Sequence, residues 1–462
     1  MTVSLDTTAT AELRLRLAGD VHEPGSPDYA DACTINNAMI DRRPALVARC
    51  SAADDVVAAL AFARDRGLAL TVRAGGHSVT GASLNDGGLV LDVRGMADVD
   101  IDPARRIARV GGGATWAAVD RAAQPHGLAT TGGRVSTTGV VGLTAGGGSG
   151  WLERKHGLAC DNLLAVELVT ADGRLVRASA DHHPELLWAH RGGGANFGVV
   201  TAVELALHPV GEEIMAGLVL HPAEHGREVL SHWRDTMLSA PDGLSLAALY
   251  LTAPDEPEIP VELRGRPAIA IAGMHAGPLA EGEAALAGVR ALGPPAADLF
   301  APMPYADFQC SLDDPPGFRN YWTVEHLAEL PDAAIDAMHE RSLRIPPGPA
   351  QLLVGAWGGE VARGAAGSAI AGRDALFVVH PLFLWEDPAD DPKMIELGRG
   401  YRDMLAPWAS GAAYSNFLGD EGDARARAAF APGAYERLAA VKAEWDPGDV
   451  FRATGHVPPA AG

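Results

Sequence analysis

Residues 71–95 read TVRAGGHSVTGASLNDGGLVLDVRG, and the organisation of the chain follows from this stretch. The run Leu68 to Arg73 has strand composition and stops at Ala74-Gly75-Gly76. With no Cβ at the two glycines, main-chain N–H groups there can close on an anionic ligand. His77 follows at once, and Leu89-Val90-Leu91 restores the apolar pattern, so the insert reads as a loop on a sheet rim, where function concentrates. Read alone, Gly75-Gly76-His77 is a turn followed by a surface histidine. Upstream, Pro44 to Cys50 reads as a strand, and Ser51-Ala-Ala-Asp-Asp as the N-cap and acidic first turn of a helix through Arg66. The three pieces make a βαβ opening with glycines at the sheet edge, the architecture of a cofactor site.

At 462 residues the chain is about three ~150-residue units long, enough for two or three structural units with an ample core. It carries 37 basic and 59 acidic side chains, a formal charge of -22 spread along its length, which argues against nucleic acid or anionic lipid as partner. No leader pattern opens the sequence, and no run of about 18 apolar residues occurs, so a soluble cytoplasmic protein is expected. Cys33, Cys50, Cys160 and Cys310 stand far apart without a CxxC pair, which predicts free thiols and no metal site.

Two further glycine concentrations follow. Ile107 to Gly113 is strand-like and Thr115 to His126 helical, ahead of Gly132-Gly-Arg-Val-Ser-Thr-Thr-Gly139-Val-Val-Gly142-Leu-Thr-Ala-Gly146-Gly-Gly-Ser-Gly150-Trp151. Such a density of glycine and small hydroxyls suits close approach to a flat, phosphate-bearing ligand and reads as non-helical. A GxGxxG dinucleotide unit needs a following helix and an acid about 20 residues on, and Trp151-Leu-Glu-Arg-Lys offers neither. Leu164 to Thr170 and Arg174 to Ala178 form a hairpin through Ala171-Asp172-Gly173, and Arg191-Gly-Gly-Gly-Ala-Asn196-Phe-Gly198 runs into a strand over Val199 to Leu207. Three glycine loops abutting strands point to one extended cofactor.

Residues 212–410 change texture. β-like runs (Ile214 to Leu220, Leu244 to Thr252, Ala268 to Ala272, Gln351 to Ala356, Leu376 to Trp385) alternate with helices (Ala223 to Ser239, Glu281 to Leu292, Pro331 to Arg341, Pro392 to Met404), without a phosphate-type loop. The chain closes with Tyr414-Ser-Asn416-Phe, a helix over Ala424 to Glu444, and Trp445-Asp-Pro-Gly-Asp before Val450-Phe-Arg.

In family order and spacing, RAGGHS, GGRVSTTGVVGLTAGGGSGWL, CDNL at Cys160 to Leu163, RGGGANFGVVT, and YSNF with WDPGDVF resemble the berberine bridge enzyme-like flavin oxidases of the vanillyl-alcohol oxidase fold superfamily. The resemblance covers about Asp41 to Leu207 and Tyr414 to Pro459. It implies an α+β fold: a two-part FAD-binding domain of the PCMH type, formed by residues 1–211 with a returning segment 411–462, around an inserted substrate domain, residues 212–410, of antiparallel sheet plus helices. It further implies FAD joined covalently to His77 through the 8α-methyl. Many relatives add a cysteine bond where this chain has Val135, so attachment through His77 alone is expected. By the same match Gly75, Gly76, Ser78 and Gly81 belong to the pyrophosphate side, and Arg73 is among the cofactor-binding residues. Thr138, Gly139, Gly142, Gly146 and Asn162 line the dinucleotide or flavin edge, with Leu143 close behind Thr138, Gly198 and Val200 lie by the adenine, and Tyr414 and Asn416 also bind the cofactor. Relatives carry Asn near the end, where Thr454 and His456 stand here, and no flavin contact is expected from these two.

Hydride transfer to flavin N5 needs a base for the O–H or N–H proton within hydrogen-bond reach. Tyr414 is the first candidate, through the YSN motif, although an alternative is a buried tyrosine anchoring the returning segment. Tyr250 and Glu360, at ends of β-like runs in the inserted part, are the second. Trp357, His380 and Trp385 could shape the pocket, and no site is drawn from Tyr321-Trp-Thr. The expected activity is oxidation of a C–O or C–N carbon of a small molecule, a secondary metabolite or sugar-like, with O2 as reoxidant, by a monomer or homodimer. Thr138 matches the position gating O2 access, which leaves a flavin-N5-oxide oxygenase acting on a polyketide-like intermediate as the alternative. A flavin-binding protein without turnover is the third reading.

Overall fold

Leu46–Arg49, Leu70–Arg73 and Leu89–Asp92 are parallel strands, with Leu89–Asp92 between the other two and Val21–His22 antiparallel on the outer edge. The computed structural model describes residues 7–293, 295–313, 317–453 and 455–461. The crossover is the helix Ala53–Arg66, which buries Val56, Ala59, Leu60, Phe62 and Ala63 on the sheet and stops at Gly67 in the left-handed conformation, φ 62°. Its cap differs from the expected one. The N-cap position is Ala52 without a side-chain bond, and the Asp55 carboxylate accepts from Ser51 N and Ala18 N, both at 2.8 Å.

The second sheet is an antiparallel set of five, in the order Val99–Asp102, Ile107–Gly111, Val199–Ala206, Leu163–Val169, Leu175–Ser179. The predicted hairpin is present, with Gly173 at φ 88° in its turn. The last long helix, Ala434–Trp445, packs Leu438, Val441 and Trp445 into the same core as Val110, Leu168 and Val203, so the end of the chain returns to this sheet. The helix expected over Ala424 to Glu444 is two helices, Asp423–Arg427 and Ala434–Trp445, because Pro432-Gly433 interrupts it with Gly433 at φ 76°.

The third sheet has nine antiparallel strands among the described residues. The main path runs Ala297–Asp298, Ile214–Pro222, Pro267–His275, Leu244–Thr252, Gln351–Ala356, Phe377–Trp385, Arg319–Trp322, with Ala301–Met303 and Glu325–Leu327 appended. The strands at Arg319 and Glu325 and the short helix Tyr305–Cys310 were not legible in the sequence. Period-two alternation gives the sheet two distinct faces. Leu244, Leu246, Ala248 and Tyr250 pack under the helices Gly226–Ser239 and Asp332–Ser342, while Ala247, Leu249 and Leu353 meet Trp151, Leu152, Tyr305 and Phe308. The second face therefore lies against the glycine-rich part of the chain. Among the described residues, no helix is long and apolar enough to cross a membrane, and the four cysteines are free, Cys310 half-buried and the others buried.

Candidate active site

The three glycine loops meet at main-chain level. A Cβ built on Gly75 would lie 2.3 Å from Gly139 N, and one on Gly139 would lie 2.6 Å from Gly75 N. The first and second loops thus cross where neither position has room for a side chain. The carbonyl of Ala145 accepts Gly192 N at 3.0 Å and Gly194 N at 2.9 Å, which fastens the third loop to the second. Contrary to the non-helical reading of the second run, Val140–Ala145 is helical. Val140, Val141, Thr144 and Ala145 are buried on one side, and a Cβ on Gly142 would have no neighbour within 4 Å. Leu143 fills the opposite space, within 2.5 Å of a Cβ on Gly133 and 2.6 Å of one on Gly148.

His77 stands half-buried beside this crossing, its Nε2 3.0 Å from Thr137 Oγ1. Burial pushes its pKa down to about 4, with the Asp313 carboxylate opposing, so the ring is neutral at physiological pH. Val135 and Thr138 are half-buried in the same run. Arg73 is buried and donates to the carbonyls of Ala32 and Thr34. It shapes the loop from beneath. Ser78 Oγ accepts from Ala82 N at 3.2 Å, and Gly76 and Gly81 adopt φ 75° and 71°.

The returning segment closes over the second run. Asn416 Nδ2 donates to Leu143 O at 2.9 Å, and a Cβ on Gly146 would lie 2.1 Å from Asn416 Oδ1. Tyr414 is 1 % exposed, and Ser149 N donates to its Oη at 3.0 Å. Burial raises its pKa well above the usual phenol range, with Cys160 and Glu153 acting in the same direction and the Ser149 and Gly148 N–H groups opposing. The phenol is therefore neutral and tied to the main chain.

From Tyr414 a chain of ring contacts reaches the large sheet. Phe417 lies edge-on to Tyr414, centroids 4.9 Å apart, and stacks on His380 at 4.0 Å and 13°. Trp322 meets His380 edge to face at 5.7 Å. His380 is 2 % exposed, and its Nδ1 lies 2.7 Å from Thr323 O, which fixes the proton on Nδ1 and leaves the lone pair on Nε2. Among the described residues Nε2 has no hydrogen-bond partner, nor have Thr323 Oγ1, Trp322 Nε1 and Tyr305 Oη. A buried polar atom left unpaired costs about 1–3 kcal/mol, so a ligand that paired with His380 Nε2, on the glycine-facing side of the sheet, would be favoured. Arg134 belongs to the same neighbourhood, donating to Ser149 Oγ at 3.1 Å and pairing with buried Glu153 at 2.8 Å.

Several expected residues lie elsewhere. Tyr250 is on the helix-covered face, its Oη 3.1 Å from His339 Nδ1, away from the glycine loops. Glu360 lies in the first turn of the short helix Gly359–Arg363 at the surface and pairs with Arg363 at 2.8 Å. Asn162 spends its amide on His156 O and Leu158 O, both at 3.0 Å, and its Oδ1 on His208 Nε2 at 2.6 Å. The Val200 side chain is in the core, and Gly198 is required by packing, since its Cβ would lie 2.6 Å from Leu168. Trp385 faces the helices and donates to Asp391 at 2.7 Å, whereas Trp357 packs edge-on to Tyr414 at 5.8 Å. Thr454 lies outside the described residues, and His456 pairs with Asp449 at 2.8 Å.

These residues fit a flavin dinucleotide. Gly142 leaves the open volume that a side chain would fill, the Gly75–Gly139 crossing lets main chain approach a phosphate-bearing ligand, and His77 offers a neutral imidazole beside them.

Comparison with known proteins agrees. The family model described as FAD binding domain matches residues 44–179, and the one described as Berberine and berberine like matches residues 413–458. (R)-6-hydroxynicotine oxidase of Paenarthrobacter nicotinovorans is 32% identical over 96% of this chain and 98% of its own. An FAD-dependent monooxygenase of Fusarium proliferatum is 41% identical over 37% of this chain and 33% of its own. The crystal structure of 6-hydroxy-D-nicotine oxidase from Arthrobacter nicotinovorans superposes with a TM-score of 0.86 at 28% identity, covering 99% of this chain and 100% of that one. FAD as cofactor and small-molecule oxidoreduction as reaction class follow from these matches. The chain belongs to the berberine bridge enzyme-like FAD-linked oxidoreductases, an α+β family with the PCMH-type flavin fold.

Proposed function

We propose an oxidase with FAD covalently bound through His77 that removes hydride from a hydroxyl- or amine-bearing carbon of a small molecule. The observation that carries the reading is the Gly75–Gly139 crossing with a neutral imidazole beside it. Residues 1–211 and 411–462 would form the flavin domain and residues 212–410 the substrate domain. Gly139, Gly142 and Gly146 would hold the cofactor, with Gly75, Gly76, Ser78 and Gly81 on its phosphate side. When bound, FAD supplies the hydride acceptor and passes the electrons to O2.

His380 accepts the proton of the substrate O–H or N–H at Nε2. Its acceptor state is set by the Nδ1 contact with Thr323 O, and its plane by Phe417 and Trp322. Burial keeps this ring neutral before substrate enters, its pKa lowered to about 3, so Nε2 is unprotonated and takes the proton only as the hydride leaves. Tyr414 acts as a positioning residue: its neutral Oη holds Ser149 N and so the glycine run that faces His380. The rings of Phe417, Trp322 and Tyr414 exclude water from the reacting carbon. Thr138 and Leu143 would border the approach of O2.

The test is anaerobic reduction. Secondary alcohols, aldoses and secondary amines are mixed with the purified protein, flavin bleaching is followed, and air is then admitted. Bleaching by one class with release of equimolar peroxide supports the reading. Reduction by a nicotinamide nucleotide alone contradicts it. The matched segment of the Fusarium monooxygenase favours an oxygenase as the second reading, which label from 18O2 in the product would establish.

A further inference from the structure

The contact between His77 and Thr137 has no part in the chemistry above. Thr137 Oγ1, exposed and carried by the second glycine run, lies 3.0 Å from His77 Nε2 on the first. The neighbouring residue is held from the other side, since Ser136 N and Ser136 Oγ donate to the two oxygens of Asp313 at 2.5 and 2.6 Å. Thr137 is thereby set between a fixed residue and the Gly139 crossing. The main chain on either side of it is therefore held beside His77.

We propose that Thr137 is the positioning residue for covalent flavin attachment: it accepts the Nε2–H of His77, so that the lone pair of the neutral ring is on Nδ1 and faces the 8α-methyl. The inference rests on the reading that His77 carries the flavin. A neutral imidazole has one N–H and one lone pair, and whichever nitrogen is held as the donor determines which one is the nucleophile. In the attachment step the Nδ1–C8α bond forms, the methyl group gives up one proton and His77 its Nε2 proton, and two electrons remain on the flavin. O2 then takes those electrons with two protons as hydrogen peroxide. The positive charge that builds on the ring as the bond forms is favoured by the Asp313 carboxylate, and the exposed hydroxyl of Thr137 gives the Nε2 proton a route to water.

The experiment uses full-length apoprotein made without riboflavin, with FAD added and aliquots precipitated in acid over time. The wild type and Thr137→Ser should acquire pellet-bound flavin at similar rates, and Thr137→Val about tenfold or more slowly, the loss expected for one hydrogen bond to a group that becomes charged. Non-covalent flavin binding, read by fluorescence quenching before precipitation, should be the same in all three. Thr137→Val attaching as fast as the wild type overturns the inference. A wild-type pellet without flavin instead overturns the reading beneath it. The 15N shifts of His77 in wild-type apoprotein give a result independent of flavin: a proton on Nε2 supports the assignment, and one on Nδ1 contradicts it.

Discussion

Gly75 and Gly139 touch through their main chains, each lacking room for the other's Cβ, while Gly142 three residues on has open space above it. Alanine at the two sites should therefore act in opposite ways. Gly139→Ala forces backbone apart and should cost about 1–3 kcal/mol, lowering the melting temperature with or without flavin. Gly142→Ala, inside a helix, should leave the flavin-free protein as stable or up to about 1 kcal/mol more so. Its flavin content should nevertheless fall. Melts in the His77→Ala background and the ratio of flavin to protein absorbance of each single variant check both outcomes.

The two proton-acceptor candidates separate by kinetics. His380→Leu should lower the rate of flavin reduction by about 10²–10⁴-fold, as for loss of a general base. Tyr414→Phe leaves Ser149 N without its acceptor and should cost about 1–2 kcal/mol of stability with less than tenfold effect on reduction. The reverse order in stopped-flow traces would return the role to Tyr414.

Lys442, fully buried, ties the returning segment to the third glycine loop. Its Nζ donates to Asn196 O at 2.7 Å, Asp446 Oδ2 at 2.6 Å and Phe451 O at 2.5 Å. Lys442→Met would leave the Asp446 carboxylate buried with its charge uncompensated, at a cost of about 3–5 kcal/mol. Denaturant midpoints should fall accordingly, whereas Lys393→Met on the exposed pair with Asp390 should change little.

Stability should fall in acid. Burial lowers His190 and His326 to about 4 and His156 and His380 to about 3, so the unfolded chain takes up protons first and stability drains away as pH falls from about 6.5 to 4. Asp120 and Glu325, raised by burial to about 7, act oppositely: they stay protonated in the folded chain, and their contribution is lost as pH rises from about 4 to 7. The imidazoles are displaced further in total and should prevail. Melting temperature should climb between pH 4.5 and 6.5, and a flat or falling profile there would contradict this.

Where glycine and alternation carried the signal, the sequence was legible: the βαβ opening, the hairpin turn at Gly173, and strands such as Leu244–Thr252 follow from local pattern. Sidedness did not. Leu244 to Leu251 is apolar at every second position on both faces but for Ser245 and Tyr250, so nothing in the sequence said that Tyr250 faces helices and that His380, in a strand otherwise apolar, faces the glycine loops. The helix Val140–Ala145 was hidden because glycine counts there masked Val140, Val141, Thr144 and Ala145, which are enough to bury one side. Asn162 and Arg73 carried family expectations, yet their polar atoms are committed to main chain, which only packing reveals. Pro432-Gly433 was a readable break in the last helix. Trp322 and Thr323 stood in a motif whose meaning depended on a partner, His380, distant in sequence.

The most direct test of the central claim is a tryptic digest of the protein purified with its natural flavin. The peptide Ala74–Arg94 contains His77 and no other histidine. The account predicts that this peptide carries flavin fluorescence and the mass of the cofactor, and that His77→Ala loses both. An unmodified Ala74–Arg94 peptide, with the flavin released into the acid supernatant, would contradict it.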